Sequence, residues 1–206
     1  MTQTAHAISL SGSVATVTEY VGFAINNILY QRGVYPPEDF QQVKKYGLGL
    51  MISTDGELNA YLSELLQQIS LWITHGSCRR LVLLITDVAT ERALERWEIN
   101  IEAEPNATTA AAAAGARRRR PVKSEDDVRR EIQAVMRQIT ACVSFLPVIP
   151  VPCAFDLLVY TSTDAQVPST AWEPSDPQVM KGGTEVKLRS FTTTIHHVDT
   201  NIVYRE

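Results

Sequence analysis

The chain has 206 residues, 45% of them hydrophobic and 20% charged, which is enough for one good-sized core or at most two small ones. Its formal net charge of -4 gives no global field that would recruit nucleic acid or an acidic membrane surface. Three cysteines without paired spacing argue against a secreted disulfide scaffold, and no signal peptide or bilayer-length apolar run is evident. We therefore expect a soluble cytosolic or nuclear protein.

Three stretches have the apolar spacing of amphipathic helices. In residues 13–30 apolar side chains recur every three or four positions, which predicts one buried face. A second helix is predicted to begin at Thr54, because Glu57 stands three residues later in a capping-box pattern. A third is predicted over residues 124–145, where Ser124 precedes acidic residues that suit the positive end of the helix dipole.

The remaining patterned segments favour strands. Residues 44–54 are short and β-leaning, and residues 80–87 form a nearly continuous apolar run typical of a buried central strand. Residues 95–103 alternate between two faces, and residues 155–161 and 184–204 predict a further strand and a terminal pair of strands. One face of the alternating strand carries Glu95, Trp97, Ile99 and Ile101. Helices and strands together indicate an α+β domain.

Two long segments lack such patterns. Residues 105–123 are rich in alanine and arginine and are expected to form a mobile surface loop. The four arginines at 117–120 suit a solvated loop, a nuclear-import signal or a contact for an acidic partner. Residues 161–183 form a polar loop that tethers the terminal strands, and loops of this length are usually functional or mobile. Its Trp172 either pins the loop to the body or meets a partner.

The candidate chemical groups do not combine into a catalytic or metal site. His196 and His197 are adjacent, so on a strand they point to opposite faces and cannot chelate one ion together. Cys142 lies on the apolar stripe of the third helix, as core cysteines do. Nucleophile-elbow and phosphate-loop motifs are absent from the sequence. We expect no enzymatic activity, no metal and no cofactor.

Several blocks together resemble one family, the HORMA domain. They are FAINNILYQRGVYPPEDF, KKYGLGLMISTD, LERWEINIE, EIQAVMRQITACVSFLP, FDLLVYT and EVKLRSFTTTIHHV, in order over about residues 8–204. The resemblance implies a single domain in which three long helices pack on a three-stranded antiparallel sheet. Residues 80–87 would form its centre, with 95–103 and 155–161 at its edges. The alanine- and arginine-rich loop departs from the family pattern.

The resemblance also implies a conformational switch. Residues 161–206 would be a "safety belt" ending in a mobile β-hairpin, which covers the strand FDLLVYT in an open state and moves to LERWEINIE in a closed state. A partner peptide then adds to the vacated edge, beneath the belt. Since the edge can be covered by either the hairpin or the peptide, the two states can be close in free energy.

Individual residues receive roles by the same resemblance. The peptide-binding edge strand would be Phe155, Asp156, Leu157, Leu158, Val159 and Tyr160. The belt would include Trp172, Arg189, Phe191, Thr192, Thr193, Thr194, Ile195 and His196, and the closing edge strand Glu95, Trp97 and Ile99. Arg137 and Gln138 match homodimer positions, Leu10 matches a position that shifts during the switch, and Thr200 matches a phosphorylatable hydroxyl. Without the resemblance, Arg137 is either a solvated arginine or a docking contact on a rigid helix.

The implied function is that of a spindle-assembly-checkpoint adaptor. Expected partners are a kinetochore-associated coiled-coil checkpoint protein, the activator of the anaphase-promoting complex, a second copy of the chain, and a HORMA-remodelling AAA+ ATPase with its adaptor. The expected locations are the nucleus, the kinetochore and the cytoplasm. The alternative is another HORMA adaptor, either a translesion-polymerase and DNA-repair subunit or a meiotic axis protein. A nucleic-acid-binding module acting through residues 117–120 would instead predict steeply salt-dependent binding.

Overall fold

The computed structural model describes residues 9–104, 123–169 and 172–205, so most of the predicted 105–123 loop, including its arginine run, lies outside the described residues. The helices within those ranges are α1 (Leu10–Gln31), α2 (Gly56–Thr74) and α3 (Glu125–Thr140). The strands are β1 (Phe40–Lys45), β2 (Leu48–Ser53), β3 (Cys78–Asp87), β4 (Ala93–Ala103), β5 (Cys153–Thr161), β6 (Thr184–Lys187), β7 (Phe191–Thr192) and β8 (His196–Tyr204). Among the described helices, none has the length and apolar character needed to cross a membrane.

The helix ends follow from their capping residues. α1 starts three residues earlier than predicted because the Ser9 hydroxyl accepts a hydrogen bond from the Gly12 amide. The prediction of Thr54 as the α2 cap is wrong, because Asp55 takes this role and accepts from the Leu58 amide at 2.6 Å. The predicted Ser124 cap of α3 is confirmed. However, α3 ends at Thr140 and not at residue 145, and a short 3-10 turn follows.

The main sheet is antiparallel and has the strand order β5-β3-β4-β8-β6, with β7 also paired to β8. This confirms the predicted unit in which β3 lies between β4 and β5. One face of β3 packs into the helical core, whereas Val82 and Leu84 are buried on the opposite face. The core on the helical side is formed by Val17, Tyr20, Val21, Ile25, Leu65, Ile69, Leu81, Leu83, Ile85, Trp97, Ile132 and Ile139, among others.

A separate hairpin, β1–β2, lies against α1. Its turn is Tyr46–Gly47, with φ angles of 51° and 73°, a left-handed pair of the kind that tight hairpins need. The buried Asn27 of α1 anchors β2, because its amide group accepts from the Met51 N–H at 3.0 Å and donates to the Met51 carbonyl at 3.2 Å. The sequence indicated β2 but gave no signal for β1, since tyrosine is an uncommon residue at the first turn position.

A buried ion pair joins the end of α1 to β4. The Arg32 guanidinium donates from Nε to both oxygens of Glu95, at 2.8 and 3.0 Å, and from Nη2 to the Pro147 carbonyl. The Trp97 indole donates to the same carboxylate at 3.0 Å. Because the Glu95 carboxylate accepts hydrogen bonds from both Arg32 and Trp97, it can occupy an inward position on an apolar strand face.

Candidate peptide-binding site

The terminal hairpin lies on β4. The β4–β8 ladder runs from the pair Glu95↔Tyr204 to the pair Ala103↔His196, so it covers most of β4. The inward side chains of β8 are buried, namely His196, Val198, Thr200 and Ile202. Of the two hairpin positions that the family resemblance implies, the chain therefore has the one assigned to the closed state.

Buried hydroxyl and imidazole groups attach this hairpin to α1. The Ser13 hydroxyl lies 2.6 Å from the Thr193 hydroxyl and 2.7 Å from Nδ1 of His196. About two turns further along α1, the Tyr20 hydroxyl lies 2.7 Å from the Thr200 hydroxyl. Burial lowers the pKa of His196 and raises the pKa of Tyr20, so both rings are neutral at physiological pH. The hairpin is thus held by neutral hydrogen bonds inside a dry interface.

These contacts bear on two predicted residues. Thr200, the predicted phosphorylation position, is 1% exposed with its hydroxyl bonded to Tyr20, so a kinase could reach it only after the hairpin leaves β4. The two histidines point to opposite faces as predicted: His196 faces α1, whereas His197 lies 3.0 Å from the Thr192 hydroxyl through Nδ1. Because they face opposite sides of the strand and have different partners, the two imidazoles do not converge on one position where an ion could bind.

α3 also contacts the hairpin. Its Glu131 carboxylate accepts from the Thr192 amide at 3.0 Å, and Gln138 accepts from the Arg189 amide at 2.6 Å. Arg137 is exposed beside it, as its helical position predicted. The two predicted homodimer residues are therefore not equivalent, because Gln138 contacts the hairpin directly and Arg137 is open to solvent.

The opposite edge of the sheet carries no strand among the described residues. β5 pairs with β3 on one side only. Along its other side lies a cavity of about 350 Å³, lined by β5 and by the belt loop, the name used here for residues 162–183. Of the six predicted edge residues, Leu157, Leu158, Val159 and Tyr160 line this cavity. Phe155 packs elsewhere, with its ring 6.1 Å from Tyr35 and 6.2 Å from Tyr61.

A pair of tryptophans fixes the belt loop over the cavity. The rings of Trp72 and Trp172 meet edge to face with centroids 4.9 Å apart, and the Trp72 indole donates to the Gln166 carbonyl at 2.9 Å. Both residues line the cavity. Trp172 thus pins the loop to the body, as one of the two sequence-based alternatives predicted, and it also lines the cavity. A contact between Trp172 and a partner stays a prediction. Trp72 was not predicted as a site residue, because its position on a helical apolar stripe predicts only core packing.

The belt loop connects the two edges of the sheet. β5 and β6 lie at opposite ends of the strand order, about 19 Å apart at the usual spacing of strands. Met180, in the second half of the loop, is buried but lies outside the main hydrophobic core. The loop therefore runs from β5 to the hairpin and buries one of its side chains on the way.

The other predicted belt and switch residues have mixed surroundings. Phe191 is buried and packs edge to face on Tyr20 at 4.9 Å, whereas Thr194 is exposed at the tip of the β7–β8 turn. The Ile195 carbonyl accepts from the Glu104 amide at 2.7 Å. Leu10 is the first residue of α1 and is 46% exposed, one turn before the Ser13 contacts.

Sequence and structural comparisons identify the fold. The HORMA domain family matches residues 13–197. The mitotic spindle assembly checkpoint protein MAD2A of Dictyostelium discoideum is 48% identical over 96% of this chain and 93% of its own length, and that of Homo sapiens is 44% identical over 96% and 93%. A chain in the crystal structure of a mitotic checkpoint complex superposes with a TM-score of 0.82 at 38% identity, covering 95% of this chain and 99% of that chain. The resemblance predicted from the sequence is confirmed, and the chain belongs to the HORMA-domain family.

Proposed function

We propose that the chain is a spindle-assembly-checkpoint adaptor that captures an extended segment of a partner protein as an added strand on β5, beneath the belt loop. One observation carries the proposal: among the described residues no strand pairs with the outer side of β5, which lies beside a cavity lined by the belt loop, while the terminal hairpin occupies β4. Its similarity along nearly the full length to checkpoint proteins named MAD2A supports the mitotic role.

The chemistry of the cavity suits a peptide strand. A free strand edge offers main-chain donors and acceptors to any extended segment, which gives affinity with little dependence on sequence. Leu157, Val159, Val167 and the Trp72–Trp172 pair add apolar surface for alternate side chains of that segment. Burial raises the pKa of Cys78 to about 12, that of Cys142 to about 11 and also that of Cys153, which favours the thiol form of all three.

The proposed partners follow from the checkpoint role. They are a kinetochore-associated coiled-coil checkpoint protein and the activator of the anaphase-promoting complex, each supplying one strand in alternation. Capture of the activator would delay anaphase until chromosomes attach. Action at kinetochores, in the nucleus and in the cytoplasm belongs to the same proposal.

Conversion between states completes the proposed cycle. In an open state the hairpin would leave β4 and cover β5, so that no peptide could add there. An open and a closed copy would pair through α3, with Arg137 and Gln138 at the contact. A HORMA-remodelling AAA+ ATPase with its adaptor would reopen the closed form, starting from the segment near Leu10.

The direct test is recovery of partners from mitotic extract. Tagged wild-type chain is expected to co-purify with both proposed partners, and a chain lacking residues 196–206 is expected to recover neither. Failure of the wild-type chain to recover either partner would sink the proposal. Depletion of the protein under a microtubule poison separates the alternative: a checkpoint adaptor is required for arrest, whereas a DNA-repair or meiotic HORMA adaptor is dispensable for it.

A further inference from the structure

A second cavity lies at the far end of the sheet from the Trp72–Trp172 pair and has a different character. It has a volume of about 350 Å³ and is lined by Arg92, Lys181, Gly182, Thr184, Tyr204 and Arg205. Three of these residues are cations, and no carboxylate side chain is among the lining residues. The protein as a whole has a net charge of -4, so this is a local concentration of positive charge on an acidic chain.

The three cations are brought together by three different segments. Arg92 closes the β3–β4 turn, where its carbonyl accepts from the Asp87 amide at 3.0 Å. Within the turn the Asp87 carboxylate accepts from the Ala89 amide and the Thr90 hydroxyl, both at 2.8 Å. Arg205 follows β8, and its amide donates to the Leu94 carbonyl at 3.2 Å. Lys181 comes from the end of the belt loop.

The backbone at the end of the belt loop fits tightly against β8. Gly182 has a φ of +75°, and a Cβ on Gly183 would lie 2.7 Å from a Val203 methyl and 2.9 Å from the Tyr204 carbonyl oxygen. Only glycine permits this approach at residue 183. As a result Lys181 lines the same cavity as Tyr204 and Arg205.

The charges in this cavity have no fixed partners. Among the described residues no ion pair involves Arg92, Lys181 or Arg205, whereas Arg32 at the end of α1 and Arg96 on β4 are each paired with a glutamate. The Tyr204 and Thr184 residues add hydroxyl groups to the lining. Convergent cations with hydroxyl donors are the usual way in which proteins hold a phosphate group.

We propose that Arg92, Lys181 and Arg205 form a binding site for a phosphorylated serine or threonine side chain of a protein segment. At about 350 Å³ the cavity is larger than a single phosphate ion needs, because even a water molecule occupies only about 30 Å³. It therefore leaves room for the flanking residues of a peptide. The site is separate from the β5 edge, because none of its lining residues lines the cavity beneath the belt loop.

The site also depends on the position of the hairpin. Arg92 belongs to the body, whereas Lys181 and Arg205 reach it only because β8 pairs with β4. This part of the inference rests on the proposed switch. If the hairpin moves to β5, the three charges separate, so a phosphorylated segment bound here favours the closed state by its differential affinity.

Nuclear magnetic resonance titration of the full chain tests the site. The probes are a short glycine-serine peptide with one phosphoserine, the same peptide unphosphorylated, and inorganic phosphate, each at matched ionic strength. We expect saturable shifts of the Gly182 and Gly183 amides with the phosphopeptide only, or with it more tightly than with inorganic phosphate. The double variant Arg92→Ala/Lys181→Ala should bind at least about tenfold more weakly, because it loses two of the three charge-assisted contacts.

The matched control is Lys187→Ala, which removes an exposed cation from the same hairpin outside the cavity. It should bind as the wild-type chain does. Equal binding by all variants, or shifts no larger than those with chloride, would overturn the site. Saturable binding of inorganic phosphate without the phosphopeptide would overturn the proposed ligand. Capture of a partner strand on β5 is measured in a separate experiment. The phosphopeptide titration can therefore be interpreted even if the proposed function fails its own test.

Discussion

The two edges of the β5-β3-β4 unit differ in what covers them. The β4 edge is covered by a long ladder whose inward side chains are buried and joined to α1 and α3 by hydrogen bonds. The β5 edge carries no strand among the described residues and faces a loop that contacts Trp72 through the Trp172 ring and the Gln166 carbonyl. The fold thus concentrates its stabilising contacts on the side away from the proposed partner. The partner side is left with generic main-chain groups and apolar surface.

Removing the covered edge should have the largest effect. Deletion of residues 196–206 removes β8, and burial of side chains such as Val198 and Ile202 contributes about 1.5–3 kcal/mol each. We expect retention of a captured peptide to fall about a hundredfold or more, while the body formed by the three helices with β3, β4 and β5 still folds. Gel filtration of the complex and far-ultraviolet circular dichroism measure the two quantities. Loss of the folded signal would mean that the hairpin is ordinary core.

Weakening the contact that holds the belt loop beside β5 should have a smaller effect on peptide retention. Trp172→Ala removes the edge-to-face contact with Trp72, and such ring pairs contribute about 0.5–1.5 kcal/mol beyond area burial. We expect the captured peptide to dissociate about tenfold faster, with little change in Tm. Trp172→Phe keeps an aromatic ring and serves as the control, with an intermediate rate. A large drop in Tm with an unchanged dissociation rate would place Trp172 in the core and not at the site.

Changing α3 should leave both edges intact. Arg137→Ala removes an exposed side chain at the proposed homodimer contact, and interface hot spots contribute more than about 1 kcal/mol. Self-association measured by sedimentation should weaken about fivefold or more, while peptide capture stays the same. Arg130→Ala, an exposed arginine on the same helix, is the control and should change neither. Weaker capture with an unchanged dimer contradicts the assignment.

Lowering the pH should have the smallest effect, and it should act through His196 in the hairpin that covers β4. Burial lowers the pKa of His196, so the unfolded chain binds this proton more readily than the folded one. The stability contributed by neutral His196 is therefore complete above the ordinary histidine pKa of about 6.5 and is lost as the pH falls below it. Urea unfolding at pH 7.5 and 5.5 checks this against His196→Asn, which should flatten the difference, and His197→Asn, which should not. Equal pH dependence in all three chains would remove His196 as the cause.

Local patterns predicted most of the fold. The apolar run of β3, the alternation of β4 and the acidic start of α3 each follow from nearby residues, and the structure has all three elements. The misses were also local: Asp55 and Thr54 are both good capping residues, and tyrosine at position 46 concealed the β1–β2 turn. Where two neighbouring residues can do the same task, a single sequence does not separate them.

Long-range pairing accounts for what the sequence did not predict. The contacts that hold the hairpin join residues about 180 positions apart, such as Ser13 with His196 and Tyr20 with Thr200. The alternation of β8 suits either sheet edge, so the choice of edge depends on these contacts and not on the strand itself. The phosphate-site proposal has the same origin, because Arg92 and Arg205 are each unremarkable in sequence and meet only through the β4–β8 ladder.

The doubly fixed belt loop has a consequence for how long partners stay bound. In the proposed complex, a segment beneath the loop with bulky chain on both sides could not slide out, and it would leave only when β8 unpairs from β4 or the Trp72–Trp172 contact opens. The rate of that opening would be a property of this chain and not of the bound segment. Partners with quite different equilibrium affinities would then share nearly one dissociation rate, and they would compete through how fast and how often each is loaded.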